Sequence, residues 1–420
     1  MKAVRMWRSG LCALLVVIVM GGLSTFPSSA LATEYDLAVV GKRSGALAAI
    51  AAWMAGAKNI AVLDAVEHDT DPRIFVLRPI TETNLESLGF TNDEAHGFTE
   101  VTSLPKYVQP ALLGGKRFIP EVNRAEANDE APSAPSFDIA RAITGTPSAM
   151  ISAIDFGKEV LDILGRLPEV TVGLGHKVTN IESTPEETRL TVITPEGSTK
   201  TLTAKMAVVA EGPNGRLAGK FGRTPFEYDK TKIMMGASFP LDGKHNARWR
   251  GVIQRVDGGF APATRSFVFG ATAAQRAGIL AEVPPAIGAA TIASPEAQTK
   301  FAKQVGKALG LKGELVGTPF VAHLSYSDMG DPMLKPNVVL VGGQNVHPAS
   351  GLGFNGIVAE ALAFGQYYDD LKNADSSKVA EYKNVVRHNH RLLFEQSVFE
   401  FGSGHHKPLL KRSLLTRLRR

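Results

Sequence analysis

The sequence predicts an α/β fold: a Rossmann-like domain on parallel strands, joined to an antiparallel β-sheet domain. Three observations carry this. An apolar run, Tyr35 to Val40, breaks at Gly41 into an Ala-rich helical stretch and returns as a second apolar run ending in Asp64. A later run, Val338 to Val341, ends in Gly342-Gly343 and leads through a glycine-rich turn into an Ala- and Leu-rich helix over 356–368. Between them, residues 225–325 alternate short β-like runs with one helical stretch. That pattern suits an antiparallel sheet with a covering helix.

The first unit reads strand (35–40), turn (Gly41-Lys42-Arg43-Ser44-Gly45-Ala46), helix (47–55) and strand (59–64). An acid about 20 residues after the glycine turn is the layout of a dinucleotide-binding βαβ unit. The helix N-terminus would take a pyrophosphate, because its first N–H groups are unpaired and its dipole favours an anion. Asp64 would accept hydrogen bonds from ribose hydroxyls. In the G-x-G-x-x-G pattern the three positions are Gly41, Arg43 and Ala46. Ala46 is a tolerated replacement. Arg43 stands where a glycine would let the backbone approach the phosphates, so it either obstructs them or contacts them itself. Gly45 softens the turn beside Ser44. A Rossmann-like unit that holds no dinucleotide is the alternative.

Further along, residues 83–88 read as an amphipathic helix and 111–140 as a polar Pro-, Ala- and Asn-rich excursion or lid. Residues 149–167 have helical periodicity. Runs at 169–172, 178–182, 189–194 and 200–203 read as strands, with Pro195 to Ser198 as a hairpin turn, and a buried strand ends at Ala210. The antiparallel region has β-like runs at 233–239, 251–256, 266–269 and 316–324 and a helix at 295–309. The last helices start near Ala359 and, after a break at 373–377, near Val379.

Lys2, Arg5 and Arg8 precede an apolar run from Leu11 to Val19, and Ala30-Leu31-Ala32 offers a small-x-small cleavage site. This is the layout of a signal peptide over 1–32, with an uncleaved anchor as the alternative. Export of the body follows, to the periplasm or the outer face of the inner membrane; a leader that does not function would leave it in the cytoplasm. The sole cysteine, Cys12, lies in that run, so the body would hold no disulfide or thiolate chemistry. The chain has 46 lysines and arginines against 41 acids. Without the three leader cations the balance is 43 against 41, which supports no nucleic-acid role. The tail differs: Leu410, Leu414 and Leu418 recur every four residues among Lys407, Lys411, Arg412, Arg417, Arg419 and Arg420. It fits either a membrane-surface helix or a helix docked on the body. His388/His390 and His405/His406 have no partner acids at metal-site spacing and read as surface residues, so no metal is expected.

Several segments then align with one family. HPASGLGFN, from His347 to Asn355, resembles the HP-x-x-G-x-G-F-N loop of FAD-dependent aromatic hydroxylases, above all the ubiquinone-biosynthesis monooxygenases. DPRIFVLRPITETNLESLGF, from Asp71 to Phe90, resembles the stretch after their second strand, and AEGPNGRLAGK, from Ala210 to Lys220, resembles their A-D-G-x-x-S-x-x-R signature. The resemblance implies a Rossmann-like FAD-binding domain with an antiparallel β-sheet substrate domain, aromatic-hydroxylase-like. It implies that Arg73 lies near the flavin's phosphates or ribityl chain, that Glu211 and Gly212 approach the pyrophosphate from the side, and that Gly342, Gly343, Pro348, Gly351, Gly353 and Asn355 hold the flavin. His347 would lie near the ring as the candidate catalytic residue, orienting the substrate or merely binding backbone. Gly343 replaces the acid that normally follows the strand, and the turn is about two residues short, so FAD would bind more weakly or be held mainly by backbone groups.

The implied activity is that of a flavoprotein monooxygenase acting on an apolar or aromatic substrate, of quinone or polyprenyl type. In this family the flavin carries the oxygen chemistry, and the protein excludes water and positions the substrate. NAD(P)H is left open, because an exported body would not meet it. An oxidase or dehydrogenase reduced by its substrate or a quinol is one alternative; a non-catalytic binding module is another. The expected organisation is a discontinuous FAD-binding domain over 33–110, 141–224 and 326–370, a substrate domain over 225–325, and C-terminal helices with the basic tail over 371–420. Oligomeric state is not legible.

Overall fold

The first βαβ unit forms as the sequence predicts, and the rest of the molecule is layered on it. The structure, a computed structural model, describes residues 31, 33–69, 71–100, 136–137, 148–212, 215–221, 233–240, 253–257, 265–271, 276–283, 294–308, 311–323, 331–342 and 352–401. The leader, the Gly-rich segment 343–351 and the basic tail from 402 lie outside them.

In chain order the elements begin with β1 (Glu34–Val40), α1 (Ser44–Met54), β2 (Ile60–Asp64), β3 (Ile74–Leu77), α2 (Pro79–Ser87), β4 (Thr99–Glu100), β5 (Ala149–Ser152) and α3 (Ala153–Gly165). Next come β6 (Val170–Leu174), β7 (Lys177–Ser183), β8 (Thr188–Ile193), β9 (Thr199–Val209) and the short α4 (Arg216–Lys220). The second half has β10 (Ile233–Pro240), β11 (Ile253–Asp257), β12 (Arg265–Ala271), β13 (Arg276–Val283), α5 (Pro295–Ala308), β14 (Phe320–His323), β15 (Met333–Lys335), β16 (Val338–Leu340), α6 (Gly353–Lys372) and α7 (Ser376–Phe401).

The main sheet runs β15-β16-β9-β1-β2-β6, with β7 and β8 attached through β9. β1 pairs in parallel with β2 and β9, and β9 in parallel with β16. Such strands are covered on both faces, which is why they read as unbroken apolar runs. Leu37, Val39, Val62, Val208 and Val339 are all fully buried. α1 is buried over eight consecutive residues, Gly45 to Ala52. A helix that is apolar all round belongs in an interior, and this one lies between the sheet and α6.

Two readings need correction. The runs at 200–203 and 204–210 are one strand, β9, which pairs antiparallel with β8 at its start and parallel with β1 from Thr203 onward. The helix expected from Ala149 starts at Ala153. Residues 149–152 form β5 instead, between β3 and β4 in a three-stranded sheet. Ser152 Oγ then caps α3 by accepting the Asp155 N–H at 3.0 Å. β3 and β13 were not foreseen; β13, RAGILAEV, has alanines and a glycine where strand formers are usual.

The antiparallel sheet runs β11-β12-β13-β10-β14. One face, with Met235, Ala237, Phe239, Ile279 and Ala281, packs on Phe301, Ala302 and Val305 of α5. The other face approaches β3: a Cβ on Gly278 would lie 2.8 Å from Ile74 Cδ1. Among the described residues no helix is long and apolar enough to cross a membrane.

Candidate functional site

Gly41, Arg43, Ser44, Gly45, Ala46, Asp64 and Gly342 converge at the N-terminus of α1. Gly41 ends β1 at φ +112°, and a Cβ there would sit 2.5 Å from the Ala210 carbonyl oxygen. Only glycine satisfies both the backbone and the space. Gly45 takes the helix–strand contact, since its Cβ would meet Val39 Cγ1 at 2.6 Å. The third glycine of the pattern was sought at Ala46, which is fully buried; the close packing falls one residue earlier. Gly342 ends β16 at φ +66°, and its Cβ would press on Ser44 Cβ and Oγ at 2.9 Å. Among the described residues no side chain caps α1. The two glycine turns thus meet around an uncapped helix start.

Asp64 faces this mouth. Its Oδ2 accepts the Lys42 N–H at 2.8 Å and its Oδ1 accepts the Val66 N–H at 2.7 Å. The carboxylate is fixed in place, and each oxygen keeps a lone pair for a further donor. Lys42 itself is buried, with Nζ donating to the Val66 carbonyl at 2.9 Å.

Arg43 occupies the N-cap position of α1, and its guanidinium is claimed by two aspartates. Nε and Nη2 donate to the two oxygens of Asp69, each at 2.8 Å, and Nη1 donates to Asp71. Asp71 also binds Arg73 through Nε at 2.8 Å and Nη2 at 2.6 Å. Burial pushes the Asp71 carboxyl up, but the Arg73 and Arg43 cations outweigh it and hold Asp71 below the usual carboxylate range. Burial likewise opposes charge on Arg43, and Asp71 and Asp69 outweigh it. Arg73, half exposed, lies with its guanidinium carbon 5.9 Å from the centroid of Phe75. Phe75 stacks on Phe354 at 4.2 Å between centroids, and Phe156 meets both rings edge-on.

Other predicted residues are placed differently. Glu211 follows Ala210, but its Oε2 accepts the Leu217 N–H at 2.9 Å and so caps α4. Gly212 has φ +82° and opens that turn. Asn355 is fully buried and spent on the protein: Nδ2 donates to the Val76 carbonyl at 2.9 Å, and Oδ1 accepts from Arg78 N–H at 3.1 Å and Thr81 Oγ1 at 2.5 Å. It pins α6 to β3 and α2. Gly353 is the first residue of α6. His347, Gly343, Pro348 and Gly351 lie outside the described residues.

Sequence reasoning missed Asp69, Glu360 and the buried Arg78. It also placed His390 on the surface; His390 is 3% exposed and meets Glu360. The spacing carried the signal. Residues two apart on a helix point about 200° from each other, so His388 and His390 cannot both face solvent on a docked helix.

The residues fit a dinucleotide. The uncapped start of α1 supplies N–H donors, two glycines clear space around it, Asp64 offers acceptors, and Arg43 brings a cation to the same end of the helix. Arg43 would have to exchange its aspartates for phosphate.

The fold has known counterparts. No protein-family model matches the chain, and no curated protein matches it in sequence. Among solved structures it is similar to the p-nitrophenol 4-monooxygenase PnpA of Pseudomonas putida DLL-E4, with a TM-score of 0.63 and 17% identity over 92% of this chain and 98% of that one. It is similar to CmlS, a flavin-dependent halogenase, with a TM-score of 0.62 and 17% identity over 86% of this chain, but it spans only 62% of CmlS. HpxO of Klebsiella pneumoniae, complexed with FAD and uric acid, matches with a TM-score of 0.56 and 16% identity over 91% of this chain and 92% of that one. The fold is therefore that of the flavin-dependent monooxygenases and halogenases.

Proposed function

We propose that this chain is an FAD-dependent oxidoreductase, monooxygenase-like, acting on a small apolar or aromatic substrate. The observation that carries the proposal is the start of α1, uncapped and held between Gly41 and Gly342 with Asp64 at its mouth. Neighbours with this fold act on p-nitrophenol or hold FAD with uric acid, which supports the substrate class.

On this reading the N–H groups of Ser44, Gly45 and Ala46 and the Arg43 guanidinium take the pyrophosphate, Asp64 takes the adenosine ribose, and Arg73 lies toward the flavin half. Glu211 and Gly212 border the site beside Gly41. Gly342 borders the site from the other side, and the likeness of HPASGLGFN to a flavin-holding loop assigns Gly343, His347, Pro348, Gly351 and Gly353 to the flavin on sequence alone, with Asn355 anchoring the helix that follows. Bound FAD would supply the redox and oxygen chemistry. The chain's own residues bind the cofactor, exclude water and orient the substrate. A quinone- or polyprenyl-type substrate, export by the leader and surface attachment by the Leu/Arg tail complete the proposal, on the sequence features of residues 1–32 and 407–420. The electron donor is NAD(P)H only if the body stays in the cytoplasm; an exported body takes electrons from its substrate or a quinol.

A second reading, a binding module without redox turnover, is favoured by one observation: Asp69 and Asp71 already neutralise Arg43. Titrating residues 33–420 with FAD decides. Quenching of flavin fluorescence and a yellow complex are expected, and a colourless protein at saturating FAD would sink the flavin reading. Replacing both aspartates, Asp69→Asn with Asp71→Asn, removes two charges that repel the phosphates. FAD affinity should rise by about tenfold, or ~1.4 kcal/mol.

A further inference from the structure

Beneath the two glycine turns lies a buried acid that the site just described does not use. Glu360, on α6, is 3% exposed, and its Oε2 accepts the Gly342 N–H at 3.0 Å. Gly342 is the residue whose missing side chain lets it sit against Ser44 at the start of α1. The carboxylate therefore fixes the end of β16 against the dinucleotide helix. A carboxylate at this depth needs more than one partner, because a single backbone N–H replaces only part of the water it has lost. His390, reaching in from α7, brings Nε2 to 3.2 Å from the same Oε2 and is equally buried.

Several charged groups on the neighbouring elements are directed elsewhere. Tyr382, one face along α7, is fully buried, and its hydroxyl has no partner among the described residues. Burial first, then Glu360 and Asp331, push its pKa well up, so it stays a neutral phenol. Lys383 and Arg387 of α7 are directed to Asp331, at 3.2 and 2.9 Å. Arg43, from α1, is committed to Asp69 and Asp71. Ser44 is neutral.

We propose that Glu360 and His390 form a buried carboxyl–imidazole pair that positions Gly342, and that α7 is thereby a working part of the dinucleotide site. His390 is a positioning residue: it holds the Glu360 side chain in place, and Glu360 holds the backbone. The inference rests on the FAD reading for its consequence, but the coupling of the pair stands on the geometry alone.

A mutant cycle in the full chain tests it, with FAD affinity and the melting temperature of the FAD-free protein as two readouts. Glu360→Gln keeps an acceptor for the Gly342 N–H and should change FAD affinity by less than about threefold. His390→Gln strands a buried carboxylate and should weaken FAD by roughly tenfold or more and lower the melting temperature. The double variant replaces both members of the pair. It should recover both readouts to near the Glu360→Gln values, which a purely steric role of His390 would not produce. If His390→Gln fails to fold and the double variant folds, that is the same rescue. Losses that simply add overturn the proposal. Recovery of melting temperature with one FAD affinity shared by all four proteins overturns the claim that α7 serves the site. A wild-type chain that takes no FAD overturns the flavin reading, and the melting cycle still decides the coupling.

Discussion

Two helices meet their neighbours through a glycine, and the two contacts differ in what stands opposite. On α6, a Cβ at Gly365 would meet the Ala51 carbonyl oxygen at 2.8 Å, its carbon at 2.9 Å and its Cβ at 2.7 Å. On α5, a Cβ at Gly306 would meet the Phe239 ring, with the two Cε atoms at 2.8 and 2.9 Å. Glycine costs up to ~1 kcal/mol in a helix, so each is retained against its propensity. In the first place the obstacle is main chain, which cannot give way without moving α1. In the second it is the far end of a side chain. The layer that carries the dinucleotide turn is thus set backbone against backbone, while the antiparallel layer is set by a ring that can rotate.

The most damaging way to probe this difference is Gly365→Val. It forces α6 away from α1 at a point where the two helices are in backbone contact. Overpacking of this kind should cost about 3 kcal/mol in urea unfolding. FAD affinity should fall with it, because Ser44 lies on α1 and the Gly342 N–H is held by Glu360 of α6. A loss below about 1 kcal/mol would mean that α6 adjusts freely, and the comparison would fail.

A smaller effect asks whether charge adds to this rigidity. Asp71 is held below its ordinary pKa in the folded protein, so its ionised form is bound more tightly there. The stability it contributes is present above the unfolded value of about 3.9 and is lost as the pH falls through the folded value. Charge-assisted hydrogen bonds to Arg43 and Arg73 put that contribution at about 1–2 kcal/mol. Between pH 6 and pH 3 the melting temperature of the wild type should fall more steeply than that of Asp71→Asn. Parallel curves would show that the Arg43 network is incidental to the fold.

The parallel layer was legible because its strands are buried on both faces and cannot hide a polar residue: LAVV, IAVL and MAVVA announce themselves. Gly41 and Asp64 were legible for the same kind of reason, as one backbone angle and one charge at a fixed spacing. β13 was not, since a strand of alanine and glycine draws its stability from the neighbours β10 and β12, which no local window contains. Glu360 and His390 were hidden more deeply. Thirty residues separate them, and their meaning depends on α7 folding back along α6 through a turn at Ala374, with φ +54°. Arg43 was visible as a departure from the pattern, but its partners Asp69 and Asp71 sit in a loop where an acid has no spacing rule to betray it.

The mildest substitution tests the comparison from the other side. Gly306→Ala lies in the last turn of α5, where alanine should gain up to about 1 kcal/mol of helix propensity. Against this stands Phe239, only 2% exposed, whose ring must swing away from the new methyl. Displacing a buried ring from its preferred rotamer costs about 0.5–1.5 kcal/mol. The two terms nearly cancel, so unfolding free energy should change by less than about 1 kcal/mol and FAD affinity not at all. A loss near that of Gly365→Val would show Phe239 to be as immovable as the α1 backbone. The antiparallel layer would then be as rigid as the layer of α1 and α6, and the difference between the two glycine contacts would vanish.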